Sequence, residues 1–176
     1  MKKVIKISLI IVIICSLVAS IFFTPVITVL SIRSRKVHPQ RFYSIDGYSK
    51  GFVISYTHSV NKGRVHDFYK AAEKKKIELY KTSFVSYGAG IPEAGETPGA
   101  IFTVTDDSYV IENLNRIVPR LVMAVGLTAK HTIVFDTSFQ LGQKEFFFTD
   151  FFEPQTSIIM EYIRVTLFDY LRHRIK

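Results

Sequence analysis

Tryptophan is absent from the 176 residues, and cysteine occurs once, at Cys15. A lone thiol excludes an internal disulfide and any cysteine-based metal cluster, and its place in an apolar run leaves the polar remainder without thiol chemistry. The remaining ~140 residues must fold on an ordinary hydrophobic core, and a chain of that length can bury one. Gly-x-Ser-x-Gly is also missing, which removes the nucleophile elbow of an α/β-hydrolase. Gly88 and Gly90 have no Lys-Ser/Thr after them and no following helix, so they do not make a phosphate loop. Repeats and low-complexity tracts are absent too.

Charge is missing from one long stretch. Ile7 to Ile32 is 26 residues without an acid or a base, enough for a helix of roughly 39 Å against a hydrocarbon core of ~30 Å. Cleavage as a signal peptide after Val18-Ala19-Ser20 would leave Ile21-Phe22-Phe23 as an exposed new terminus, and Ile14 is too large to precede a lipoprotein cysteine. The segment therefore reads as an uncleaved single-pass anchor covering residues 1–36, followed by a tether at 37–41 and a domain at 42–176. Basic residues flank it on both sides, so the positive-inside rule does not orient it.

Lys and Arg outnumber Asp and Glu by 23 to 15, a formal charge of +8. Six of the basic residues lie in the first 36 positions, and the rest of the chain carries only +2. The surplus reports membrane flanks rather than a nucleic-acid surface.

What the chain does have is period-two patterning. Phe52, Ile54, Tyr56, His58 and Val60 alternate with Val53, Ser55, Thr57, Ser59 and Asn61, a half-buried strand. Asn61-Lys62-Gly63 suits a hairpin turn, and Arg64 to Tyr69 reads as the return strand. Further strands are expected at 41–45, 77–86, 100–105, 108–111, 131–135 and 157–165, the last followed by a short helical, basic end. The lysine-rich run at 70–76 reads as a solvated turn, and 91–99 as a surface loop. Five phenylalanines between Phe146 and Phe152 read as core filler. Eight or nine short strands without a long helix predict an all-β sandwich or barrel behind one transmembrane helix.

Chemistry is sparse. His58 and Ser59 are neighbours on a strand, whose side chains point to opposite faces, so they do not form a base–nucleophile pair. No histidine has helical i, i+4 or Cys/His spacing; the weak metal candidates are the histidines His58, His66 and His131, with Asp67 drawn in beside them, and no metal or cofactor is expected. The residues of interest are Tyr56, His58, Ser59 and Asn61, with Tyr87, Gly88 and Gly90, whose backbone is expected to approach and brace the end of the His58 strand. They form a motif or a binding site, not a catalytic one, and the chain is expected not to be an enzyme. A membrane-tethered ligand- or metal-binding domain with its site at Tyr56–Lys62 and Ser86–Pro92 is the alternative to an interaction module.

Tyr56-Thr-His-Ser-Val-Asn-Lys, Val65-His-Asp-Phe-Tyr and Ser86-Tyr-Gly-Ala-Gly-Ile-Pro together resemble the bacterial domain-of-unknown-function family 1850. Arg116-Ile-Val-Pro-Arg-Leu, Val125-Gly and His131-Thr-Ile-Val are similar to its second half, so the resemblance covers roughly Gly51 to Val165. The pattern departs at His66, where the family often has an acidic residue; here Asp67 follows. The resemblance implies a small extracytoplasmic protein encoded beside TRAP transporters of the TAXI type, partnered by the membrane and by the permease or solute-binding protein. It also implies an outward-facing domain, and it assigns no catalytic residues.

Overall fold

The computed structural model describes residues 2–36, 39–60, 62–85, 97–105, 108–138 and 145–175. Helix α1 (Lys2–Phe23) is uncharged from Ile7 onward and exposed from Lys3 to Phe23, and over that length it is long and apolar enough to cross a membrane. It stops at Thr24-Pro25, where the proline disfavours helical geometry in the residue before it.

The uncharged run does not belong wholly to this helix. Its last part, from Ile27 on, lies in strand β1 (Ile27–Ser34), paired on one edge with β2 (Arg41–Ser44) and on the other with β11 (Ser157–Val165). The helix therefore ends at Phe23 and the folded body starts at Ile27, so Ile27–Ser34, expected within the anchor segment, belongs to the sheet. The physical reason is that a strand buried on both faces reads as an apolar run, just as a spanning helix does. Val29, Leu30 and Ser31 are almost wholly buried, although Leu30 faces one way and its neighbours the other.

The smaller sheet has the order β2-β1-β11-β8, with β8 at Leu121–Ala124. Phe42, Ile32, Met160 and Leu121 stand in register across it. The larger sheet comprises β3 (Phe52–Thr57), β4 (Arg64–Ala72), β5 (Lys76–Phe84), β6 (Ile101–Val104), β7 (Tyr109–Val118), β9 (Thr132–Val134) and β10 (Phe146–Phe147). Its order is β10-β9-β3-β4-β5-β7-β6, and every pairing is antiparallel. The result is an all-β sandwich, with eleven strands among the described residues, behind an apolar helix. One row of its inner face runs Ile133, Ile54, Asp67, Thr82, Ile111, Phe102. A carboxylate sits in the middle of an apolar row.

The two inner faces share one core of Leu30, Ile32, Phe52, Ile54, Ile77, Ile133, Ile158 and Met160, among others. Phe148 and Phe152 close its end, Phe146 and Phe151 pack against it, and Phe147 is left partly exposed. The lysine-rich turn between β4 and β5 is an exposed 3-10 turn at Glu73–Lys75. Gly51 precedes β3 with φ +77°, and a Cβ there would lie 2.4 Å from the Tyr69 carbonyl oxygen, so only glycine fits.

A short helix α2 (Asp46–Ser49) follows β2, and α3 (Leu167–His173) ends the chain. The N-cap of α3 is Thr166, whose hydroxyl oxygen accepts the Asp169 backbone N–H at 3.0 Å. Tyr170 packs on the outer side of the smaller sheet with Val29, Tyr43 and Val165.

Candidate functional site

The polar strand end singled out in the sequence has a local role. β3 stops at Thr57, so His58 and Ser59 lie beyond the strand, and the alternation does not carry His58 onto the apolar face. The His58 N–H donates to the Gly63 carbonyl at 2.9 Å, and the Lys62 N–H donates to the His58 carbonyl at 3.2 Å. Lys62 takes the left-handed conformation at φ +58°. His58 Nδ1 accepts the Val60 N–H at 3.3 Å, and Lys62 Nζ donates to the Ser59 carbonyl. His58 organises a turn, and Ser59 is exposed in it. Asn61, Tyr87, Gly88 and Gly90 lie outside the described residues, as does the 86–92 motif expected to brace this turn.

Tyr56 leads elsewhere. With Asp67, Tyr69 and His131 it lines a cavity of about 170 Å³ between the sheets, walled by Ile54, Leu121, Met123 and Met160. Strand periodicity collects these residues: Asp67 and Tyr69 are two apart on β4, and Tyr56 is on the same face of β3. The Thr82 hydroxyl, cross-strand from Asp67, donates to its Oδ1 at 2.7 Å. The Tyr69 hydroxyl also bonds the carboxyl. Asp67 forms no ion pair among the described residues.

Burial holds the Asp67 carboxyl above its ordinary value, against the smaller opposing pull of these two hydrogen bonds and of the Arg116 charge. Burial, with the Asp67 charge adding, pushes the Tyr56 hydroxyl up to about 12 and raises that of Tyr69 further. His131 is held below its ordinary value by burial and then by Arg64. Its Nδ1 accepts the Gly126 N–H at 3.1 Å, so the neutral ring carries its proton on Nε2. The cavity has room for about five or six water-sized groups. A carboxyl, two phenols and an imidazole in an apolar enclosure are suited to orienting a small polar or cationic ligand.

On the opposite face of the same strands is a polar network of which only His66 is among the expected site residues. Ser55 Oγ lies 2.7 Å from His66 Nδ1, its cross-strand partner. Arg64 donates to the Lys130 carbonyl at 2.9 Å and to Thr132 Oγ1 at 2.7 Å, and pairs with Glu145 at 3.3 Å. The Thr132 hydroxyl also donates to Glu145. Burial and then Arg64 hold the His66 ring below its ordinary value, with Glu145 opposing. By distance Ser55 and His66 resemble a nucleophile and its base. Ser55 is 0 % exposed, however, so no substrate carbonyl can reach its oxygen, and the pair acts as a satisfied buried contact. Ser55, Arg64, Thr132 and Glu145 were not legible as a group, because a single sequence does not show strand register.

The three weak metal candidates do not converge. His66 is on the outer face of the larger sheet, His131 borders the cavity on the inner face, and His58 is in the turn. Among the described residues, no group of three or more His, Cys, Asp or Glu side chains comes together.

Fold and site together define a β-sandwich behind an apolar helix that could anchor it in a membrane, with one small acid-lined cavity between its sheets. The chain belongs to the family described as Domain of unknown function (DUF1850), which matches residues 52–141. The match runs from the start of β3 past β9 and includes every polar residue of the cavity, but neither α1, β1, β11 nor α3. No curated protein and no solved structure matches the chain.

Proposed function

We propose that this protein is a membrane-tethered accessory module of a solute uptake system, its sandwich on the outer side of the cell membrane beside a TRAP-type (TAXI) transporter. The observation that carries the reading is the join between helix and body. Only Thr24, Pro25 and Val26 separate α1 from β1, and β1 is an inner strand of the smaller sheet. Three residues span at most ~11 Å, so the body is held close to the bilayer, within reach of a membrane partner. The family resemblance supports the choice of that partner. The module acts by contact, without catalysis of its own.

Pull-down of the full chain from solubilised membranes is expected to enrich the permease or the solute-binding protein. Inserting a flexible ten-residue spacer after Val26 should weaken that recovery while leaving the fold intact. No enrichment of either transporter component would count against the reading.

A second reading, a tethered ligand-binding domain, is favoured by the cavity. Its site is then Tyr56, Asp67, Tyr69 and His131, not the turn at His58. Small amines are the first ligands to try, because the Asp67 carboxyl has no cationic partner in ion-pair contact among the described residues. A thermal shift with an amine in the full chain, lost in Asp67→Asn, would support this reading. Identical responses in both proteins would dismiss it.

A further inference from the structure

We propose that α3 is a second membrane contact, lying at the bilayer surface with Phe168 and Leu171 towards the acyl boundary and Arg172 and Arg174 at anionic headgroups. The inference rests on α1 being membrane-embedded, and it adds a contact that the anchor alone does not require.

A 21-residue span rises roughly 32 Å, about the hydrocarbon thickness, so its last residue, Phe23, marks one interface. The Phe23 ring lies 6.1 Å from the Phe168 ring of α3. The C-terminal helix is therefore at the level where the span leaves the bilayer, a depth that aromatic side chains favour.

Composition agrees with position. Phe168 and Leu171 are three apart on α3 and share a face, and they are 50 % and 46 % exposed. Phe23 and Val26 add exposed apolar surface alongside them. The other side of α3 is occupied: Tyr170 packs on the Val29, Tyr43 and Val165 cluster, and the Ile175 N–H donates to the Tyr43 carbonyl at 3.1 Å. Arg172 follows Phe168 by one helical turn, and Arg174 and Arg41 are exposed nearby; Asp169 is the acid on α3, and Asp46 and Asp136 lie by its Tyr170 side. An apolar ridge edged by basic side chains, continuous with the exit of a spanning helix, matches the chemistry of an anionic bilayer surface. Two contacts would hold the sandwich in one orientation rather than letting it swivel about α1. Met160, on the cavity wall, pairs with Ile32, roughly 17 Å along β1 from its membrane end.

The absence of tryptophan makes the test direct. Three single-tryptophan forms of the full chain, Ile13→Trp, Phe168→Trp and Ile101→Trp, are reconstituted into vesicles containing phosphatidylglycerol. Ile13 is in mid-span, and Ile101 is on β6 at the far edge of the larger sheet. Brominated lipids are expected to quench Ile13→Trp with deep labels and Phe168→Trp with shallow ones, and to leave Ile101→Trp unaffected. Arg172→Gln with Arg174→Gln should reduce shallow quenching of Phe168→Trp and increase its accessibility to aqueous acrylamide. If Ile13→Trp is quenched while Phe168→Trp behaves like Ile101→Trp, α3 does not touch lipid and the proposal fails alone. Shielding of Phe168→Trp from acrylamide without lipid quenching assigns the ridge to a protein contact, and also overturns the proposal. If Ile13→Trp itself escapes quenching, the anchor and the proposal fall together.

Discussion

Asp67 is the residue whose environment departs furthest from its chemistry. It occupies the middle of an inward row, between Ile54 and Thr82, and the fold keeps it there with two hydroxyl donors and no contacting cation. Burial raises its folded pKa above the 3.8 of an unfolded carboxyl. The sign follows: Asp67 contributes stability fully below pH 3.8, and that contribution is lost as pH rises through the folded value. Asp67→Asn, which keeps an oxygen to accept from Thr82, is therefore expected to stabilise the protein at neutral pH by about 1 kcal/mol. The difference should disappear below pH 3.8; urea titrations of both forms at the two pH values check it. A destabilised variant at neutral pH would mean that the charge is needed, as a cation site requires. At this scale the sequence pointed to Tyr56, Asp67 and His131 as polar residues near strand patterns. It offered no sign that they would share a cavity, since β3, β4 and β9 meet only through pairing.

Among the elements, β1 and the β3–β4 hairpin show where local patterns mislead. Ile27–Ser34 has the apolarity of a membrane segment and the β-branched residues of a strand, and only its pairing with β2 and β11 settles which it is. A chain truncated to begin at Val26 is expected to retain β-sheet circular dichroism and a cooperative unfolding transition. A chain beginning at Pro39 should not fold, because it lacks Val29, Leu30 and Ile32. Buried side chains of this kind contribute about 1.5–3 kcal/mol each, comparable in sum to the ~5–15 kcal/mol that holds a domain together. Cooperative unfolding of the shorter chain would refute the placement of β1. In the hairpin, a strand running to Val60 and returning at Arg64 would set Ser55 opposite Tyr69. The strand instead ends at Thr57, and Thr57 faces Arg64, so Ser55 meets His66 and Ile54 meets Asp67. Register is set by the turn, and this turn uses Lys62 in the left-handed conformation, a residue with no strong preference for it.

For the whole molecule, two histidines on opposite faces of one sheet contribute to the response to acid. His66 and His131 are both held below the ordinary 6.5, first by burial and then by Arg64. A depressed folded pKa gives stability that is present above 6.5 and is lost as pH falls through the folded values, where the unfolded chain binds protons first. The urea midpoint of the full chain is expected to decline between neutral pH and about pH 5. His66→Gln and His131→Gln should each flatten that decline, and both together should flatten it further. A midpoint independent of pH over this interval would show that the two rings titrate as they do in the unfolded chain.

The sequence by itself determined what short-range physics determines. Period-two alternation made the domain all-β, a long charge-free run supplied a helix able to cross a membrane, and the phenylalanine cluster announced core. Tertiary structure decided where the apolar run changes from helix to strand, which face each histidine takes, and that Tyr56 serves a cavity while His58 serves a turn. These decisions depend on register and on what packs over each face. They join residues more than a hundred positions apart, as in the Arg33–Glu161 contact, 128 apart, between β1 and β11. Contacts over such separations leave no periodic trace in either segment alone.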